Sequence, residues 1–547
     1  MVTKGRLAAL LAASLTPQPA AAQTLPSATL ADIRAEGLSH GQAMATATEL
    51  ADTIGPRLTW SDNLDRADAW AERRLAAIGL TAIHREPLDQ RGPAWRQGTV
   101  WMRMTAPDSM MVTVQALPWS VGSGGDQHGD AVLVDVTTIA DLARYRGTLR
   151  GKVVLLGKPR TIAGSDTPLV ERLTDAARID AALQPRRTYF ANRPARLARF
   201  APQAAFADAL TAFLIREAPA AVVTPSHALA AGGDSGILSV DEAIIPARGT
   251  AWRSDRRFPI PLLVAVPEQY NRLARLLQGG TPVSVAWHIE VEAGEVRPAY
   301  NVVADLPGTD PALAAETILV GAHLDSWTGG TGATDNGAGV ATVIEAMRLL
   351  RHAALRPRRT IRVLLYAGEE QGLLGSQAYA ARHLGTRARA TTPAQAAVPV
   401  ESWRLPVGPL VPRPAWRSTA AVFNIDNGSG RIRGVFTGGD NPAMVRRVGR
   451  WLAPLGDLDV ARVLDEPDWP ADQSVYAGLG LPTLSFLQDP LDYDRRAHHT
   501  NMDMVERLSA DDLAINAVTL ATLIAYAATE DDPLPRPPVP PAVRIAP

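Results

Sequence analysis

From Thr317 onward the apolar positions fall into short continuous runs, TILVGAH, IRVLLYAGEE, AVFNIDNG and LPTLSFLQD, each bounded by polar or glycine-rich turns. Runs of this length without alternation are the pattern of strands buried on both faces. Between the first two lies GAGVATVIEAMRLL, in which Val340, Val343, Ile344, Met347 and Leu350 recur at helical spacing. The alternation of such strands with helical stripes predicts an α/β domain over residues 291–530, a mixed, mostly parallel sheet sandwiched by helices. Upstream, in the 23–125 region, DRADAWAERRLAAIGL places Ala67, Trp70, Ala71, Leu75 and Ile78 on one helical face, and Gly79 can end that helix. Residues 126–290 read differently: AVLVDV, KVVLLG, AAVV and PLLVAV alternate with turns and one helical section, FADALTAFLIREA. They predict an inserted β-rich domain.

Two stretches follow neither period. The Pro-, Ala- and Arg-rich run from Leu384 to Ser418 reads as an irregular surface insertion, and the proline-rich tail, 531–547, as extended or disordered chain. The start of the chain has Lys4 and Arg6, an apolar run from Leu7 to Leu15 and small residues at Ala20 to Ala22. That is the layout of a signal peptide over 1–22, and it predicts a secreted or periplasmic protein. No other run approaches the roughly 20 apolar residues of a membrane span.

Composition narrows the chemistry. With 55 basic and 56 acidic residues the formal net charge is -1, so no global field draws nucleic acid. The chain has no cysteine, which excludes thiolate metal sites and cysteine nucleophiles. A metal would have to be held by His, Asp and Glu.

Such residues gather at the ends of the buried strands. TILVGAH ends at His323, RVLLYAGEE at Glu369 and Glu370, and VFNID at Asp426; Asp335 follows His323 across a glycine-rich loop, and RRAHHTNMD supplies His498 and His499. In open α/β sheets ligands collect outside the carboxyl ends of the strands. This is an oxygen and nitrogen donor set of the kind that binds zinc. In HLD, Asp325 can turn back to the second ring nitrogen of His323 and fix its tautomer. In EE, one carboxylate can face a metal while the other handles a proton. Asn336, next to Asp335, is a good cap for the helix that follows.

The order HLDSW, GATDNGAG, YAGEEQGLLGS, FNIDNGSG, DQS and HHTNMD resembles the zinc exopeptidase family that includes bacterial leucyl aminopeptidases and plasma glutamate carboxypeptidase. YRGTLRGKVVLLGK and FPIPLLVAV resemble the protease-associated domain that some members carry inserted. The resemblance implies two zinc ions per chain bridged by Asp335. One would be held by His323 and Asp426, the other by Glu370 and His499, chosen over His498 because HTNMD matches the family pattern. It further implies Glu369 as general base, Asp325 as the support of His323, and Asp472 of ADQS as an acidic neighbour. The substrate would be a peptide or dipeptide, with the terminus recognised and the oligomeric state left open.

Rival classes rest on other residues. GGDSG, Gly232 to Gly236, imitates a serine-protease motif but has no His partner in context and reads as a glycine turn. RPRRTIR, Arg356 to Arg362, lacks aromatic interleaving and reads as a solvated helix-to-strand turn rather than a nucleic-acid patch. An amidohydrolase or deacylase shares a similar ligand order, and a receptor-like protein could keep the fold without the metals. The placement of the insert before His323 and the retention of every ligand type favour the exopeptidase.

Overall fold

The computed structural model describes residues 25–162, 168–228, 235–240, 258–387 and 408–541. The predicted signal peptide lies outside them. At the centre runs the strand Thr317–His323, flanked in parallel by Thr360–Tyr366 and Thr419–Asn424; Thr419–Asn424 is followed in parallel by Thr483–Gln488. The helix Ala338–His352 and the C-terminal helix Ala510–Thr529 pack on this sheet and on each other, buried over most of their circumference. The mixed, mostly parallel α/β architecture is thus present.

The sheet does not stop at these strands. Thr360–Tyr366 pairs antiparallel with the far end of the long strand Ser284–Leu306, whose near end pairs with Gln127–Val134. From there Val153–Leu156, Ala221–Pro225 and Leu262–Ala265 continue in parallel, making one sheet of 14 strands among the described residues. The 126–290 segment is therefore less purely β than its short apolar runs suggest. Helices Ala176–Ala191, Arg193–Glu217 and Pro267–Gln278 accompany its strands. The first of these has little amphipathic patterning, which hid it. Ser284–Leu306 also pairs antiparallel, along most of its length, with Thr81–Ala106, and together they form a long ribbon broken by bulges.

Local signals account for the element ends. The upstream helix runs Asp62–Ala77, with Ser61 Oγ accepting from Leu64 N at 3.2 Å and Gly79 at φ +82° leaving the helix. Ala510–Thr529 is long and apolar enough to cross a membrane, contrary to the sequence reading, but most of it is buried inside the protein. Its hydropathy serves a core helix. The basic run at Arg356 is not a solvated turn either. Arg359 is fully buried, pairs with Glu316 and donates to the carbonyls of Ala527, Glu530 and Asp531, so it caps the end of that core helix.

The described parts of the two aperiodic stretches are built into the body. The ends of the 384–418 insertion pair as a small antiparallel sheet, Gly385–Arg387 with Leu410–Pro412, while residues 388–407 lie outside the described residues. The described part of the tail is extended and docked: Leu534 is buried, Arg536 donates to the carbonyls of Trp416, Arg417 and Thr419, and Pro540 O accepts from Arg387.

Candidate metal centre

At the carboxyl edge of the central strands the separated motifs converge on Asp335. Its Oδ1 lies 3.1 Å from Nε2 of His323, the last residue of the central strand, and its Oδ2 lies 3.2 Å from Nε2 of His499. Each histidine has a second carboxylate beside it. Asp426 Oδ1 is 3.2 Å from His323 Nε2, and Glu370 Oε2 is 3.0 Å from His499 Nε2. Two groups of donors therefore share one carboxylate, and both are buried or nearly so. His498 also approaches Asp335: its Nε2 lies 3.6 Å from Oδ2 and its Nδ1 3.6 Å from Asp494, its ring stacks on Tyr493 at 4.5 Å, and with Asp335 and His499 it forms a further possible donor group.

The glycine-rich loop between His323 and Asp335 is fastened by a residue that the sequence reading passed over. Arg57 is fully buried; its guanidinium donates to Leu324 O at 2.6 Å, Thr331 O at 2.7 Å and Gly332 O at 2.9 Å. Burial lowers it to about 10, still a cation, with Asp503, Asp325, Asp335 and Glu370 around it opposing the loss of charge. Gly332 sits at φ +67°, where a Cβ would fall 2.4 Å from that of Ser326, so only glycine fits between the loop and Arg57. Asp503, the last residue of HHTNMD, closes the other side. Its carboxylate accepts from Thr334 Oγ1 at 2.7 Å and from Asp335 N at 3.2 Å. Asn336 Oδ1 then accepts from Gly339 N at 3.0 Å, the cap its position implies, and its amide donates to Ile425 O beside Asp426.

Asp325 takes a different contact from the one the HLD spacing suggested. It is the backbone carbonyl of Asp325 that meets His323 Nδ1, at 2.9 Å, while the carboxylate is 3.6 Å away. The carboxylate instead accepts from Thr59 Oγ1 at 3.0 Å and from the backbone N–H groups of Glu369 and Glu370 at 3.2 and 3.4 Å. Asp325 thus orients the glutamate pair as well as the histidine. The pair diverges: Glu370 faces His499, whereas Glu369 shares a cluster with His323 and Asp426. Burial, reinforced by Asp426, raises the Glu369 carboxyl well above its ordinary value. Asp472 is also buried and is raised to about 7 by that burial, although Ser376 donates to it. Gln473 has a structural task, accepting from Asn424 at 2.9 Å and donating to Trp469 O at 2.7 Å.

The donor set fits a divalent cation. Glu370 Oε1 is buried without a hydrogen-bond partner, and Asp335 Oδ2 has only its ion-pair distances to the histidines. Carboxylate oxygens this poorly satisfied in a dry site are costly unless a cation faces them. Trp327 borders the centre, its ring 6.0 Å from that of His499, and beyond it opens a cavity of about 770 Å³ lined by Trp95, Gln97, Gln115, Leu238, Thr328 and Asn501. Ser235, from the GGDSG decoy, donates to Glu268 and belongs to no catalytic group among the described residues.

This constellation lies within a recognised family. Residues 301–524 match Peptidase family M28. They form an M28 peptidase domain. The chain is similar to carboxypeptidase Q of Homo sapiens, 25% identical over 494 residues that cover 89% of this chain and 85% of that protein. Among solved structures, a peptidase M28 precursor from Shewanella amazonensis shares the fold with a TM-score of 0.63 at 23% identity, covering 93% of this chain and 98% of the other. A zinc aminopeptidase from Bacillus subtilis follows with a TM-score of 0.52 at 14% identity over 92% and 95%. The M28 match begins at Asn301 and so takes in every residue of the convergent site from His323 to His499, while Arg57 reaches that site from outside the matched segment.

Proposed function

We propose that the M28 domain is an exported di-zinc exopeptidase, of aminopeptidase, dipeptidase or carboxypeptidase Q type. The observation that carries this reading is the carboxylate of Asp335, whose two oxygens each face a different histidine–carboxylate pair. His323 and Asp426 would hold one ion, Glu370 and His499 the other, with Asp335 between them. The similarity to a zinc aminopeptidase and to carboxypeptidase Q supports zinc and a terminal peptide bond. The basic, apolar and small-residue order of 1–22 supports export.

Zinc, when bound in such a pair, supplies Lewis acidity that activates water at neutral pH and polarises the scissile carbonyl. The remaining work falls to the chain. Glu369 takes a proton from the attacking water on its carboxylate and returns it to the departing amine. Asp325 holds the backbone of Glu369 so that this carboxylate points into the site. Arg57 and Asp503 fix the loop that presents Asp335. The cavity beside Trp327 would receive the rest of the substrate.

The test is metal analysis together with one substitution. The purified chain should hold two zinc ions, and Glu369→Gln should keep both while losing at least about a thousandfold in kcat, the scale of a positioned acid–base group. Fewer than one zinc per chain with no activity restored by added zinc would sink the reading. Full turnover in Glu369→Gln would remove Glu369 from the role given to it.

A further inference from the structure

The loop that carries the histidine pair is gripped at both ends by the 126–290 segment. At its start Glu171 and Leu491 form an antiparallel bridge, each N–H donating to the other's carbonyl at 2.9 Å. At its end Ser239 bridges Thr500: Val240 N donates to His499 O at 3.1 Å, Asn501 N to Leu238 O at 3.0 Å, and Leu238 N to Asn501 Oδ1 at 2.7 Å. Tyr493, His498 and His499 lie between these two points.

Both grips are anchored away from the metal centre. Leu238 and Val240 are buried in an apolar cluster with Val134, Val154 and Phe258, drawn mainly from the 126–290 segment, against which Trp327 also packs. Beside the other bridge, Arg172 reaches Asp489 and Asp512 at 2.9 Å each, and Arg495 lies 3.7 Å from Glu171. His499 has φ +58°, a region that non-glycine residues seldom occupy, so its conformation must be held by contacts outside its own turn. The hydrogen bond from Val240 to the His499 carbonyl is such a contact.

We propose that the 126–290 segment is a two-point clamp that pre-sets the His498–His499 loop for the metal centre, with Leu238 and Asn501 as positioning residues. This deepens the di-zinc reading and rests on it. A loop already fixed loses less conformational freedom when a ligand is engaged, so the clamp raises affinity for the ion held by His499 and Glu370. The ion that His323 and Asp426 would hold, at the ends of central-sheet strands, would feel the clamp less, through the shared Asp335 alone.

The experiment uses the full chain. Asn501→Ala removes the acceptor for Leu238 N, and Asn501→Asp keeps one. Zinc affinity is measured by chelator competition, and amide exchange across 491–501 is followed by mass spectrometry on the metal-free protein. In Asn501→Ala one of the two zinc sites should weaken by about tenfold or more, the scale seen when an outer partner of a ligand is lost, with exchange accelerated in 237–240 and 491–501 together. Asn501→Asp should restore both. Unchanged exchange and affinity in Asn501→Ala would overturn the clamp, as would acceleration spread evenly over the central sheet. Should Asn501→Ala not fold, Glu171→Pro, which removes the N–H to Leu491, carries the same expectation at the other bridge. Because the exchange measurement needs no metal, a wild-type chain that takes up no zinc would sink the metal reading while exchange still judges the clamp.

Discussion

Arg57 illustrates how one buried side chain can organise a site without touching substrate. It joins Leu324, between His323 and Asp325, to Thr331 and Gly332 on the far side of the glycine-rich loop, and it is a cation among carboxylates. Removing it leaves those carbonyls and acids uncompensated in a dry environment. Arg57→Met should therefore destabilise the metal-free protein by about 3 kcal/mol, the scale for breaking a buried charged network, read as a lower urea midpoint with unchanged slope. A midpoint within experimental error of wild type would refute this. No periodicity announces Arg57, because a residue that bonds to backbone carbonyls of a distant loop leaves no trace in local spacing. Asp503 was half visible as the end of HHTNMD. Tyr493, stacked on His498 and raised well above the usual phenol range by burial, was not.

At the scale of elements, the ribbon strand Thr81–Ala106 is joined to the turn after the Leu374–Tyr379 helix through one glutamate. Glu86 is nearly buried and meets His383 Nε2 at 2.9 Å, Arg382 Nη1 at 2.9 Å and His84 Nε2 at 3.2 Å, with Asp89 facing the same arginine. Burial opposes its charge, but the hydrogen bonds from His383 and Arg382 outweigh that and lower it from 4.5 to about 2. A carboxyl depressed on folding stabilises the folded state fully above its unfolded value and loses that contribution as pH falls toward its folded value. Discounted for solvent screening of its partly exposed partners, the stability difference between wild type and Glu86→Gln should thus be about 2 kcal/mol near pH 6, shrinking between pH 4.5 and 2. A difference that stays constant across that range, measured by denaturant titration, would show that Glu86 acts through packing alone.

For the whole molecule the decisive feature is the continuity of the sheet. Ser284–Leu306 pairs at one end with Thr360–Tyr366 and at the other with Gln127–Val134, so the catalytic strands and the strands of the 126–290 segment share one hydrogen-bonded surface. They share a core as well: Val153, Ala221 and Leu263 lie in the same apolar cluster as Val320, Val363 and Phe423. Two units joined this way should unfold together. Calorimetry of the purified chain should give a single transition whose van't Hoff and calorimetric enthalpies agree. Two resolved transitions would mean that the shared strand does not couple them.

The α/β architecture was legible in the chain alone, because buried parallel strands and amphipathic helices write their periods directly into it, and strand ends are where candidate ligands collect. TILVGAH, YAGEE and FNID therefore named both their strands and their candidate ligands. Tertiary structure alone decided what those residues meet. Which histidine faces Glu370, the turning of the Asp325 carboxylate toward the glutamate backbone, and the fate of Arg359 all depend on chain segments tens to hundreds of residues away. The grip of Leu238 and Glu171 on the histidine loop is of the same kind. Backbone hydrogen bonds across such distances carry no side-chain signature, and only the folded chain brings their partners together.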